Sequence, residues 1–121
     1  MELTPNPATG RQLIERYGAA GFRISGIVYG GPVLVFPEQT IVWEAATPSL
    51  DGLAPIVAHG GIELVLLGLG RRGAPVAPAL RVALKTHGIG VEAMDTGAAC
   101  RTYNLLLGED RLVAAALLPP I

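Results

Sequence analysis

The sequence predicts an α/β domain with a mixed sheet, and three observations carry that reading. From Phe22 to Glu44, short apolar runs are punctuated by glycine and proline, the texture of an antiparallel meander. Beyond Thr47, apolar strand-like runs alternate with segments of helical spacing, which is how helices come to be packed on a sheet. Half of the 121 residues are hydrophobic and only 16% are charged, so most strands should be covered on both faces. A chain of this length fits one domain that buries roughly 65–70% of its unfolded surface.

Taken in order, residues 1–10 are turn formers (Thr4-Pro5-Asn6-Pro7, Gly10) and predict a loose N-terminal arm, leaving 11–121 as the domain. Arg11 to Tyr17 fits a short helical turn and an edge segment equally well. Phe22-Arg23-Ile24-Ser25 and Ile27-Val28-Tyr29 are strand-like, Gly30-Gly31 predicts a hairpin turn, and Val33-Leu34-Val35-Phe36 runs back. Pro37-Glu38-Gln39-Thr40 turns again before Ile41-Val42-Trp43-Glu44. Thr47-Pro48 has the look of an N-cap followed by proline at the first helical position. Leu50, Leu53, Ile56 and Val57 then recur at helical spacing until Gly60-Gly61. Ile62 to Leu67 is a continuous apolar strand, Gly68 to Pro78 a loop, and Ala79 to His87 a second helix closed by Gly88. Val91 to Met94 is the next strand, Ala98 to Leu107 a third helix, and Leu112 to Leu118 a last strand that Pro119-Pro120 stops from pairing further. No internal repeat, linker or low-complexity tract interrupts this order.

Composition removes several function classes. The net charge is −1 and the arginines form no stripe, so nucleic-acid binding lacks its electrostatic footprint. A single cysteine excludes an intrachain disulfide. The N-terminus has neither a basic start nor an apolar run, and the uncharged stretch Ile24 to Pro37 is too short to span a bilayer, so the expectation is a cytoplasmic protein without a membrane span. So few charges on a small domain also leave apolar surface for an interface, with a protein partner or with further copies of the chain.

Four constellations invite chemistry. Gly68-Leu69-Gly70-Arg71-Arg72-Gly73 has the spacing of a dinucleotide fingerprint and follows an apolar strand, with Asp95 ending the next one. A true fingerprint opens its helix within the glycines, whereas Pro75 and Pro78 delay this one, so an ordinary turn is the expectation. Arg71 and Arg72 beside glycine-rich backbone suit an anion, and equally a solvated loop tip. Asp95-Thr96-Gly97 suits a strand-to-helix junction in which either polar side chain caps the helix. Cys100 would sit near the first turn, where the helix dipole and Arg101 favour thiolate, yet neither His59 nor His87 is close in sequence to act as a base. Both histidines are expected at helix ends. Arg101 and Asn104 lie three apart on one helix face, with Tyr103 between them and Leu105, Leu106 and Leu107 assigned to the core side. A buried Arg101 would need Asp95 or Glu92 as its carboxylate. Arg23 and Tyr29 are further polar or amphipathic residues in apolar surroundings. These residues nominate no catalytic set, no cofactor and no metal site.

Gly21-Phe22-Arg23-Ile24-Ser25-Gly26 with Tyr29-Gly30-Gly31, Leu66-Leu67-Gly68-Leu69-Gly70, and Gly88 through Asn104 together resemble one family. It is a small-domain family of unknown function that includes the mitochondrial complex I (NADH:ubiquinone oxidoreductase) assembly factor 3, and the likeness runs from about residue 11 onward, with Met94 to Asn104 its most specific part. The resemblance implies a three-layer α/β fold around a central mixed sheet of about five strands. It also implies a non-catalytic role in assembling a respiratory complex through contacts with its subunits or other assembly factors. The matching positions are Asp95, Thr96, Gly97, Cys100, Arg101, Tyr103 and Asn104; the family supplies no catalytic residue to transfer. The absence of an Arg- and Ser-rich leader fits a bacterial member. Two functional readings follow: an assembly module that binds protein, or a small-anion or nucleotide site, with or without catalysis, in the crevice between the Gly68 and Asp95 loops.

Overall fold

A computed structural model describes residues 11–121; the expected N-terminal arm at 1–10 lies outside the described residues. Strands β1 (Ile14–Gly18), β2 (Gly21–Ile24) and β3 (Ile27–Tyr29) form an antiparallel three-stranded sheet in that order. Strands β4 (Val33–Val35), β5 (Thr40–Val42), β6 (Leu64–Leu69), β7 (Gly90–Met94) and β8 (Val113–Leu118) form the main sheet, in the order β5-β4-β8-β6-β7. It is mixed, because β4 runs antiparallel to β5 and β8 while β6 runs parallel to β7 and β8. The helices are α1 (Ala54–His59), α2 (Pro78–Thr86) and α3 (Thr96–Gly108).

The two-residue period of the strands divides the core in two. In β8, Val113, Ala115 and Leu117 face one cluster with Val33, Val35 and Leu66, covered by α3 through Ala99, Cys100, Tyr103 and Leu107 and by the small sheet through Ile14, Tyr17, Phe22 and Ile24. Ala114 and Ala116 face the other, with Leu34, Val65, Leu67 and Val91, beneath Leu53 and Ile56 of the α1 region and Leu80 and Leu84 of α2. Three consecutive alanines in the central strand keep that strand thin, so helices approach it from both sides. The steps from β6 to β7 and from β7 to β8 run in opposite directions across the sheet. Parallel crossovers share one hand, so this reversal sends α2 and α3 to opposite faces. The result is the three-layer arrangement that the resemblance implies.

Several local expectations change. Gly30-Gly31 is no hairpin turn: β3 and β4 belong to different sheets, and the glycines with Pro32 carry the chain between them. The tight turn falls at Ser25-Gly26, both at positive φ (45° and 83°), as a two-residue hairpin between paired Ile24 and Ile27 requires. Arg11 to Tyr17, open between helix and edge, holds all but the last residue of β1, an edge strand of the small sheet. The first helix begins at Ala54, not at Thr47. Residues 47–52 instead coil under Trp43, whose Nε1–H donates to the Gly52 carbonyl at 2.8 Å, and Pro55 occupies the start of the shortened helix. Leu105 is exposed, Leu106 half-buried and only Leu107 buried, since three consecutive helical residues span about 200° and cannot share one face.

Candidate functional site

The segment from Met94 to Asn104 is anchored at its first residues. Asp95 is the N-cap of α3, its Oδ1 accepting the Ala98 N–H at 2.9 Å, so of the two candidate caps Asp95 takes the role. Thr96 is fully buried and ties three elements together. Its Oγ1 donates to the Leu118 carbonyl at 2.6 Å and accepts the Gly70 N–H at 2.9 Å, while its own N–H donates to the Gly70 carbonyl at 2.8 Å. The ends of β6 and β8 are thereby fastened to the start of α3.

The same contacts show how the two loops flanking the expected crevice are joined. The Gly68 and Asp95 loops do lie side by side, since Gly68 pairs with Met94 in register, but they are stitched together through Gly70 and Thr96. Gly73, at φ 72°, presses so closely on the Met94–Asp95 peptide that a Cβ there would lie 2.9 Å from the Asp95 nitrogen. Gly68 and Gly73 of the fingerprint-like run are used for packing, whereas Gly70 takes a positive φ of 84° with open space beside it. A Cβ on Gly68 would meet Leu117 Cδ2 at 2.7 Å and Ala99 Cβ at 3.1 Å, and α2 starts only at Pro78. Arg71 and Arg72 are exposed on the loop tip.

Further along α3, Gly97 lets the Tyr17 ring lie against the helix, with a would-be Cβ 2.6 Å from the phenol oxygen. Arg101 is exposed rather than buried, and its partner is neither Asp95 nor Glu92: Nη1 donates to the Tyr17 hydroxyl at 3.0 Å. Cys100 is fully buried among Ile14, Tyr17 and Val113. Burial pushes its thiol up from 9.0 to about 12, overriding the opposing pull of Arg101, with Asp95 adding to the rise. The activated thiolate that the helix position suggested is therefore suppressed. Tyr103 is also buried and its hydroxyl donates to the Phe36 carbonyl at 3.1 Å; burial, with Glu38 adding to it, raises its phenol far above the ordinary range.

Asn104 clamps the small sheet to the helix. Its Oδ1 accepts the Ile14 N–H at 3.1 Å and its Nδ2 donates to the Ile14 carbonyl at 2.8 Å, an amide–backbone pair 90 positions apart in sequence. The expected pairing of Arg101 and Asn104 on one polar face is thus divided, one side chain at the surface and the other inside. His59 ends α1 as expected, stacked on Phe36 at 5.1 Å with Nε2 2.5 Å from Glu38 Oε1, and His87 caps α2. Among the described residues no group of three or more His, Cys, Asp or Glu side chains is arranged to hold a metal ion.

One concave feature lies elsewhere, and the sequence contains an overlooked signal for it. Arg16-Tyr17-Gly18-Ala19-Ala20-Gly21-Phe22-Arg23 reads almost the same in both directions. Folded at Ala19-Ala20, it sets Arg16 opposite Arg23, Tyr17 opposite Phe22 and Gly18 opposite Gly21. A hollow of about 350 Å³ is lined by these residues and by Val28. Arg23 and Tyr29, nominated from sequence, come to the small sheet, Arg23 outward at the hollow and Tyr29 half-buried against the core.

Residues 14–118 match the family described as "Protein of unknown function (DUF498/DUF598)". The chain belongs to this family. It is 40% identical over 107 residues to an uncharacterised protein of Rhodobacter capsulatus, a match covering 88% of this chain and 83% of that one. It is 36% identical over 124 aligned residues to NADH dehydrogenase [ubiquinone] 1 alpha subcomplex assembly factor 3 of Danio rerio, covering 99% of this chain and 71% of that protein. A crystal structure of a Bordetella parapertussis protein superposes with a TM-score of 0.82 at 34% identity, covering 93% of this chain and 99% of that one.

Proposed function

We propose that this domain is a non-catalytic, protein-binding module that aids assembly of respiratory complex I, acting in the cytoplasm of a bacterial cell. The observation that carries the reading is the likeness, along nearly the whole chain, to relatives named as assembly factors of NADH dehydrogenase. The employment of the polar cluster agrees with it. Asp95 caps, Thr96 fastens, Gly97 receives a ring, Tyr103 and Asn104 hold backbone, and Cys100 is buried as a thiol. Groups so engaged build a rigid scaffold and present no nucleophile paired with a base. Exposed apolar side chains at Ile27, Val28, Val42, Val82 and Leu105 supply contact surface. No helix among the described residues is long and apolar enough to cross a membrane, so a partner would be met outside the lipid.

The test is deletion of the gene in its native host. Membranes of the deletion strain should lose NADH:ubiquinone oxidoreductase activity and accumulate partial complexes, and a tagged copy should restore both while co-purifying with complex I subunits or assembly proteins. Normal complex I without the protein, and no co-purifying subunit, would overturn the reading.

A further inference from the structure

The two faces of β7 are covered unequally. Val91 and Ala93 lie against the core cluster beneath α2, and Val91 is buried. Gly90, Glu92 and Met94 turn the other way, level with Leu64, Leu66 and Gly68 of β6, on the side of the sheet that carries α3. Yet α3 lies over β6 and β8 and only brushes β7. Gly90 and Glu92 are exposed, and Leu64 and Met94 are half-buried. Among the described residues, no element packs over this face of the strand.

The strip has the dimensions of a helix. Gly97, Arg101 and Asn104 look toward the small sheet, where they meet Tyr17 and Ile14. Helical spacing then sets Thr102 and Leu106, four apart and both half-buried, on the opposite flank, beside β7. Strands lie about 4.8 Å apart, so β7 is about 7 Å to the side of an axis centred between β8 and β6. A second helix packs about 8–10 Å from the first, which seats it over β7 and its open side. The five residues of β7 run about 17 Å, the length of about eleven helical residues.

Glu92 stands in the middle of this strip between Leu64, Met94 and Leu106. Among the described residues its carboxylate makes no ion pair or hydrogen bond. Arg101 is turned to Tyr17 on the far flank of α3. Arg81 reaches β7 from α2 and donates from Nη1 to the Val91 carbonyl at 2.8 Å. Gly90 bonds to β6 through its N–H, so Val91, next along, presents its carbonyl at the open edge. Arg81 occupies that carbonyl, which opposes addition of a strand and leaves the face of β7, not its edge, for a partner.

We infer that this face is the docking site for an amphipathic helix of a partner protein, packed beside α3 with a basic side chain over Glu92. Its apolar stripe covers Leu64, Met94 and Leu106, and its cation supplies the charge that the chain itself does not bring to Glu92. A second copy fits less well, because a two-fold contact through this strip sets each Glu92 against its own image. The inference rests on the protein-binding reading and specifies where and by what chemistry the partner is held.

The decisive experiment is photo-crosslinking of the tagged full chain in extract of its native host, with p-benzoylphenylalanine in place of Thr102. The crosslinked peptide, mapped by mass spectrometry, should carry apolar residues at helical spacing and a lysine or arginine among them. Glu92→Lys should weaken the crosslink about tenfold or more, since like charges then face each other, and reversing the mapped basic residue to glutamate should restore it. If Glu92→Lys folds poorly, Glu92→Gln should weaken the same crosslink. No crosslink at position 102, a peptide without a basic residue, a crosslink to a second copy or within the chain, or indifference to both Glu92 variants would overturn the inference. Probes in place of Val28 and Val82, which are exposed elsewhere on the molecule, separate the two readings. Complex I subunits or assembly proteins captured only at those positions refute this face and leave the assembly role standing, whereas none captured at any position counts against the assembly role itself.

Discussion

Asn104 gives the sharpest test of how the small sheet is held. Asn104→Ala removes the acceptor of the Ile14 N–H and the donor to the Ile14 carbonyl, both in a buried setting. Each orphaned backbone group costs about 1–3 kcal/mol, and partial rehydration at β1 trims the sum to about 2–4 kcal/mol. That is a large share of the roughly 5–15 kcal/mol that holds a domain together. For a chain of this size it corresponds to a melting temperature lower by roughly 10 °C. Hydrogen exchange should report where the loss falls: amides of Ile14–Gly18 should exchange faster by more than those of β6 or β8. Asn104→Asp sharpens the argument. The introduced carboxylate keeps an acceptor but faces the Ile14 carbonyl as an anion, so its pKa is raised in the folded state. Its stability is therefore present at low pH, where it is protonated and able to donate, and lost as pH rises through the raised value. A cost below about 0.5 kcal/mol for Asn104→Ala, within the range of an ordinary surface change, would refute the clamp. Exchange rising uniformly along the chain would refute it equally.

Other outcomes follow from the same structure. Thr96→Val keeps the shape but removes the hydroxyl that serves Leu118 and Gly70, and denaturant unfolding should show a loss of about 1–3 kcal/mol. Gly68→Ala should cost about 1–3 kcal/mol by forcing α3 from the sheet at Leu117 and Ala99; an unchanged unfolding midpoint would show that the helix yields freely. Cys100 should resist alkylation by iodoacetamide in the native protein at pH 8 and react on unfolding, as a thiol raised to about 12 by burial must. Because the folded pKa exceeds the unfolded one, Cys100 favours the folded state below about pH 9, and that advantage should fall away as pH rises toward 12.

The sequence by itself determined the α/β class, the strands from β6 onward and the second and third helices, because apolar periodicity and glycine stops are local signals read within one element. The resemblance added the three layers. A cap at Asp95 or Thr96 was legible too, at a junction next to its own helix, and the structure assigned it to Asp95. Tertiary structure alone decided what the remaining polar residues do. Thr96 serves strands that end 26 residues before it and 22 after it, counted to Gly70 and Leu118, and Asn104 clamps a strand 90 positions away. It also decided that Gly30-Gly31 links two sheets, that residues 47–52 coil under Trp43 before α1, and that Gly68 and Gly73 of the fingerprint-like run are packing contacts. Partners distant along the chain are chosen by the packing of whole elements, and the energy that selects them belongs to the assembled core, not to any window of sequence.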